Sequence, residues 1–213
     1  MLQERKKIAM IVAEFLGTAL LTIVALSVTR AIGNAYFVGI AVGLTMAAMT
    51  LVIGKVSGSH LNPAITIGLL TTRKVEALAS VVYIAAQLLG GISAYLLYTY
   101  FTNQHWSNSG HFESRTLVAE VAGAFVFSLG WASTIYNKYE GGKAAFVIGA
   151  SLTVGIIVAS IVSAGILNPA VALGMRSWGW GTYVLGPVLG AVIGFNLYAL
   201  LFAPASSLEE KKK

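Results

Sequence analysis

Apolar stretches and short polar breaks alternate along this chain. Six stretches, near residues 8–29, 35–54, 77–101, 115–136, 143–163 and 180–202, are long enough to cross a hydrocarbon core, which takes about 20 residues of helix. Each predicts a membrane-spanning helix. Two shorter segments, 62–71 and 168–176, are helical in pattern, yet at about 1.5 Å per residue each covers only about half a bilayer. Both open on the same tripeptide, Asn62-Pro63-Ala64 and Asn168-Pro169-Ala170. Asn is a favoured N-cap, and Pro suits the first helical position because its missing N–H would be unpaired there anyway. Each tripeptide therefore reads as the start of a half-helix.

The two tripeptides lie 106 residues apart, and the offset recurs: Glu14 matches Glu120, Gly43 matches Gly149 and Gly68 matches Gly174. Landmarks in one phase along most of the chain mean an internal duplication. Residues 1–213 then form one transmembrane domain of two repeats, about 8–101 and 115–202. Three spans per repeat is an odd number, so the second repeat is inverted and the half-helices meet tip to tip from opposite faces. Such architectures place the functional site near mid-membrane, where the repeats meet. Irregular backbone at that depth must line a polar cavity or be buried in protein. The loops before the half-helices are thus expected to display carbonyls to a cavity, from Gly58, Ser59, His60 and Leu61 on one side and Ala164, Gly165 and Ile166 on the other.

Composition fixes the solvent. The chain is 57% hydrophobic and 10% charged, with a mean hydropathy of +0.79, outside the range of soluble domains. It has no Cys, which excludes disulfides and thiolate metal sites, and no Asp. The net charge of +6 sits in short clusters between apolar stretches, a pattern of membrane topology rather than of nucleic-acid binding. With the N-terminus inside, eleven basic residues fall on the cytoplasmic side (Arg5, Lys6, Lys7, Lys55, Arg73, Lys74, Lys138, Lys143 and Lys211 to Lys213) and three outside (Arg30, Arg115 and Arg176). Both termini are then cytoplasmic. The tail after Pro204 reads as short, polar and mobile. The first stretch follows basic residues as a signal peptide would, but it is too long and is the repeat partner of the fourth. No His-Glu-x-x-His, Gly-x-Ser-x-Gly or phosphate loop occurs, so nothing supports an enzyme or a cofactor.

Charge is costly in lipid, so Glu14 and Glu120 are expected to face the protein interior. They read as loop supports, each carboxylate accepting hydrogen bonds from the loop of its own half; a proton relay is the alternative. Gln87 and Pro187 read as packing and loop support. His60 has three open readings: a loop brace with its carbonyl in the cavity, a pH-sensitive gate, or a metal ligand. The last lacks partners, because His105 and His111 belong to the polar loop 102–114 on the opposite face.

These residues resemble the major intrinsic proteins, the aquaporins and aquaglyceroporins. SGSHLNPAITIG looks like the family's loop and half-helix, and AEFLGTA, AEVAGAF, the VGLT run at Val42 to Thr45 and Gln87-x-x-Gly90-Gly91 also match. The resemblance covers about residues 8–202. It implies an all-α membrane fold of six transmembrane helices plus two half-helices in a right-handed bundle, one pore per subunit, a homotetramer in lipid, and water or small neutral solutes as cargo. The family's outer filter usually has an Arg directly after the second tripeptide and often a His on the fifth span. Here those positions are Val171 and Ile156, and Val42 and Gly165 complete the implied ring. That ring is apolar, uncharged and wider than one holding Arg, which implies selectivity not strict for water. Ala172 replaces the Asp of many glycerol channels. Arg176, more than one turn beyond Val171, reads as an interfacial anchor, with reach over the pore mouth as the alternative. A passive pore is the favoured function; a secondary transporter and a non-conducting membrane scaffold are the other classes. Short loops and tails suggest a prokaryotic plasma membrane.

Overall fold

The computed structural model describes residues 2–107 and 112–204; His111, the tail from 205 and its Lys211 to Lys213 lie outside the described residues. Among the described residues the fold is all-α, with six helices long and apolar enough to cross a membrane and two short ones between them. In chain order they are α1 (Leu2–Ala31), α2 (Ala35–Ser57), the short α3 (Pro63–Thr71), α4 (Ala77–Thr102), α5 (Ser114–Tyr136), α6 (Gly141–Ala159) and the short α7 (Pro169–Gly174). The last span, Gly181–Phe202, is α-helical over Gly186–Leu197 (α8) and has wide π turns at Gly181–Leu185 and Tyr198–Phe202. Pro187, buried near the start of α8, has no N–H to give the preceding turn, which accounts for local widening there.

The short helices are short for local reasons. Asn62 and Asn168 are extended caps whose side-chain oxygens accept from the first turn, and each is followed by Pro at the first position. At the far end of α7 the chain turns through Arg176 at φ 52°, so α7 is shorter than the expected 168–176. The fifth span also stops early, at Ala159 rather than 163, because Ser163 is drawn into the loop, where its hydroxyl reaches Glu120. The first span begins earlier than expected, its charged first turns joined by a Lys7–Glu4 contact at 3.8 Å.

α1 packs on α2 and α4, α5 packs on α6 and α8, and α2 crosses α6. Small residues make these crossings close, as they do in lipid generally. At the α2–α6 crossing a Cβ on Gly43 would lie 2.0 Å from Thr153 Oγ1, and one on Gly149 would lie 2.5 Å from the Gly43 carbonyl. α4 meets α7 in the same manner: a Cβ on Gly91 would lie 2.2 Å from the Ala170 carbonyl. Large apolar side chains such as Leu16, Leu44, Leu78 and Phe146 face outward, as expected of surfaces against lipid or neighbouring subunits.

Candidate pore

Each half-helix is preceded by a five-residue loop held by one buried glutamate. Glu14 Oε1 accepts from the Ser57 hydroxyl at 2.6 Å and the His60 N–H at 2.9 Å, and Oε2 accepts from the Leu61 N–H at 2.7 Å and the Gln87 amide at 2.7 Å. Glu120 accepts from the Ser163 hydroxyl, from the Ile166 N–H at 3.0 Å and from the Leu167 N–H at 2.8 Å. Both carboxylates are fully buried. Hydrogen bonds to charged groups are worth about 1.5–3 kcal/mol each, which offsets the backbone strain of Leu61 and Leu167, held at φ 50° and 53°.

This anchoring decides where the carbonyls point. In a trans peptide the C=O before an N–H points the opposite way. The N–H groups of Ser59, His60 and Leu61 face Ser57 Oγ and Glu14, so the carbonyls of Gly58, Ser59 and His60 face away. By the same geometry the carbonyls of Ala164, Gly165 and Ile166 face away from Ser163 Oγ and Glu120. Ala164, Gly165 and Ile166 line one cavity, and Gly58 and His60 line another. The Leu61 carbonyl accepts the Asn168 amide at 2.8 Å, and the Leu167 carbonyl accepts the Asn62 amide at 2.9 Å.

Those crossed bonds also decide what the asparagines have left to offer. Asn62 Oδ1 caps the Ala64 N–H at 2.8 Å, and Asn168 Oδ1 takes the N–H groups of Ala170 at 3.0 Å and Val171 at 3.3 Å. One amide hydrogen of each Asn is spent tying the opposite loop, which leaves one donor per Asn. Both residues line a cavity of about 370 Å³, termed the outer one after the topology that the basic residues lead one to expect.

Val42, Ile156, Gly165 and Val171 all line that cavity too. Trp106, from the loop before α5, also lines it, a residue that the sequence reading passed over because it lies in a polar loop. A second cavity, of about 640 Å³, lies beyond the half-helix tips; His60, Leu69, Trp131 and Ile148 line it, with Lys55, Lys74 and Glu140 toward its mouth. His60 Nδ1 lies 3.2 Å from Thr66 Oγ1, and its ring meets Tyr83 and Trp131 edge-on. The sequence reading missed Trp131, although the repeat offset pairs it with Ala25, which lines the outer cavity. Arg176 does not line the cavity; its guanidinium lies 4.9 Å from the Tyr95 ring and 4.5 Å from the Trp178 ring.

A paired set of buried loops, capped half-helices and lined cavities has a counterpart among known proteins. The family model described as major intrinsic protein matches residues 1–198. The chain belongs to that family. It is 30% identical to Aquaporin-4 of Bos taurus over 231 residues, covering 95% of this chain and 70% of that protein. It is 30% identical to Aquaporin-1 of Homo sapiens over 226 residues, covering 92% and 83%. Among solved structures, the aquaglyceroporin from Plasmodium falciparum superposes with a TM-score of 0.78 at 23% identity, covering 95% of this chain and 99% of that one. This major intrinsic protein is an integral, multi-pass membrane protein with the aquaporin fold.

Proposed function

We propose that this protein is a passive pore for water and small neutral solutes, assembled as a homotetramer with both termini cytoplasmic, in a prokaryotic plasma membrane. The observation that carries the reading is the pair of crossed asparagines, each capping one half-helix and each turned toward a cavity. A helix N-terminus carries about half a positive charge. Two inverted repeats bring two such ends together from opposite faces, which opposes cations and protons as in this family's pores generally. The free N–H of each Asn donates to a passing oxygen. A water accepting from both turns its hydrogens outward, so no unbroken donor chain runs through. Glu14 and Glu120 serve as positioning residues, since their oxygens are occupied by loop donors.

The ring of Val42, Ile156, Gly165 and Val171 acts as the outer filter. Lacking a guanidinium, it is wider than a ring holding Arg, so it passes urea or glycerol as well as water. Proteoliposomes with the wild-type protein test this in parallel osmotic and isotonic uptake assays. Fast water flux together with uptake of urea or glycerol is the expected result, reduced for both solutes in Val171→Arg. Water flux with complete exclusion of both solutes overturns the permissive ring. Saturable uptake driven by a proton gradient points to a transporter instead, and protein-loaded liposomes that match empty ones point to a scaffold.

A further inference from the structure

The outer cavity runs past all four ring residues without interruption, from Gly33 and Trp106 to Asn62, Asn168 and Phe127. The inner cavity begins on the other side, at His60, Trp131 and Ile148, and the two share no lining residue. The boundary between the two cavities therefore falls beyond Asn62 and Asn168 and not among the ring residues, all four of which line the first. The walls at that boundary are aromatic. Phe127 and Trp131 are one turn apart on α5, on the same face, with ring centroids 5.7 Å apart, and Trp131 stands edge-on to His60 at 6.3 Å. At the equivalent stations of the first repeat, both in the outer cavity, stand the smaller Leu21 and Ala25.

We infer that Trp131, with His60 facing it, is the residue that sets the size limit and polarity of solutes crossing this pore. This rests on the passive-pore reading above. An indole where the other half holds a methyl group narrows the passage from one side, and the imidazole supplies its polar edge. His60 Nδ1 lies 3.2 Å from Thr66 Oγ1, which also lies within hydrogen-bond distance of the Asn62 carbonyl and the Gln87 amide. Nε2 has no hydrogen bond to a described residue and belongs to a ring that lines the inner cavity. In either tautomer it is a polar nitrogen. Donors from Asn62 and Asn168 on one side and this nitrogen on the other suit a small molecule bearing both an oxygen and an O–H or N–H, such as water, urea or a short polyol.

The test is uptake of water, urea, glycerol and erythritol into proteoliposomes holding wild type, Trp131→Phe, Trp131→Leu or Trp131→Ala. Glycerol permeability is expected to rise through that series, about tenfold at Ala, which corresponds to about 1.4 kcal/mol of barrier, and erythritol is expected to enter only in the smaller variants. If Trp131→Ala does not fold, the Phe and Leu variants carry the same trend. His60→Leu, which removes the polar ring edge without removing bulk, is expected to slow water several-fold. A conducting wild type whose solute cut-off is unmoved by every Trp131 variant overturns the inference and leaves the pore reading standing. A silent wild type with a conducting Trp131→Ala supports it. Silence in all variants brings down both.

Discussion

Residues 57–61 and 163–167 are held by the same bonds. In each loop a serine hydroxyl and two successive N–H groups converge on one glutamate, and the residue before the Asn has positive φ. The walls beside these loops have diverged. Thr66 and Gln87 build a polar bridge behind the first loop, where the repeat offset puts Ala172 and Ile193 in the second half. Trp131 stands at the station that Ala25 holds in the first. The difference separates two demands. A loop buried at membrane depth must satisfy every backbone donor, which leaves little freedom in the residues that do so. A wall needs only shape, so its side chains are free to set what passes.

Removing the anchors gives the largest effect and tests the equivalence of the loops. Glu14→Leu strands the donors of Ser57, His60, Leu61 and Gln87, and Glu120→Leu strands those of Ser163, Ile166 and Leu167. Each stranded buried donor costs about 1–3 kcal/mol. Both variants are expected to lose most of their monodisperse yield in detergent, Glu14→Leu the more severely, because it has the additional donor from Gln87. Equal yields would mean that the polar bridge behind the first loop contributes nothing.

The α2–α6 crossing is a milder probe. A Cβ at Gly43 meets Thr153 Oγ1 at 2.0 Å, whereas one at Gly149 meets the Ala47 Cβ at 2.8 Å; both press on the opposite glycine's carbonyl. Each Ala substitution is expected to cost about 1–3 kcal/mol from overpacking. Gly43→Ala should show the larger drop in melting temperature, because the Thr153 hydroxyl is tied to the carbonyls of Gly39 and Gly149. A larger drop for Gly149→Ala would reverse that ranking.

The helix caps give the smallest contrast. Asn34 caps α2 by accepting from the Tyr36 N–H at 3.0 Å, whereas Glu140, its repeat partner at the start of α6, makes no side-chain cap. Asn34→Ala is expected to cost about 1 kcal/mol and Glu140→Ala less than about 0.5 kcal/mol, measured as thermal shifts in one detergent. Equal shifts would remove the capping distinction.

The sequence by itself determined a membrane protein with two similar halves, two half-helices and two glutamates behind their loops. Each rests on a local signal: the length of an apolar run, an Asn-Pro cap, or the same residue met again 106 positions later. The family was legible for the same reason, since its motifs are short and contiguous. The lining positions Val42, Ile156, Gly165 and Val171 could be named because they stand at fixed distances from those motifs. Other features were decided by tertiary structure alone. Asn62 and Asn168 spend an amide hydrogen on each other's loop, which no spacing announces, because each bond joins residues more than 100 positions apart. Trp131 facing His60 depends on how far α5 is rotated about its axis when it packs on α6 and α8. Local patterns fix where a helix starts and stops; only its packed neighbours fix which side chains it presents to the cavity.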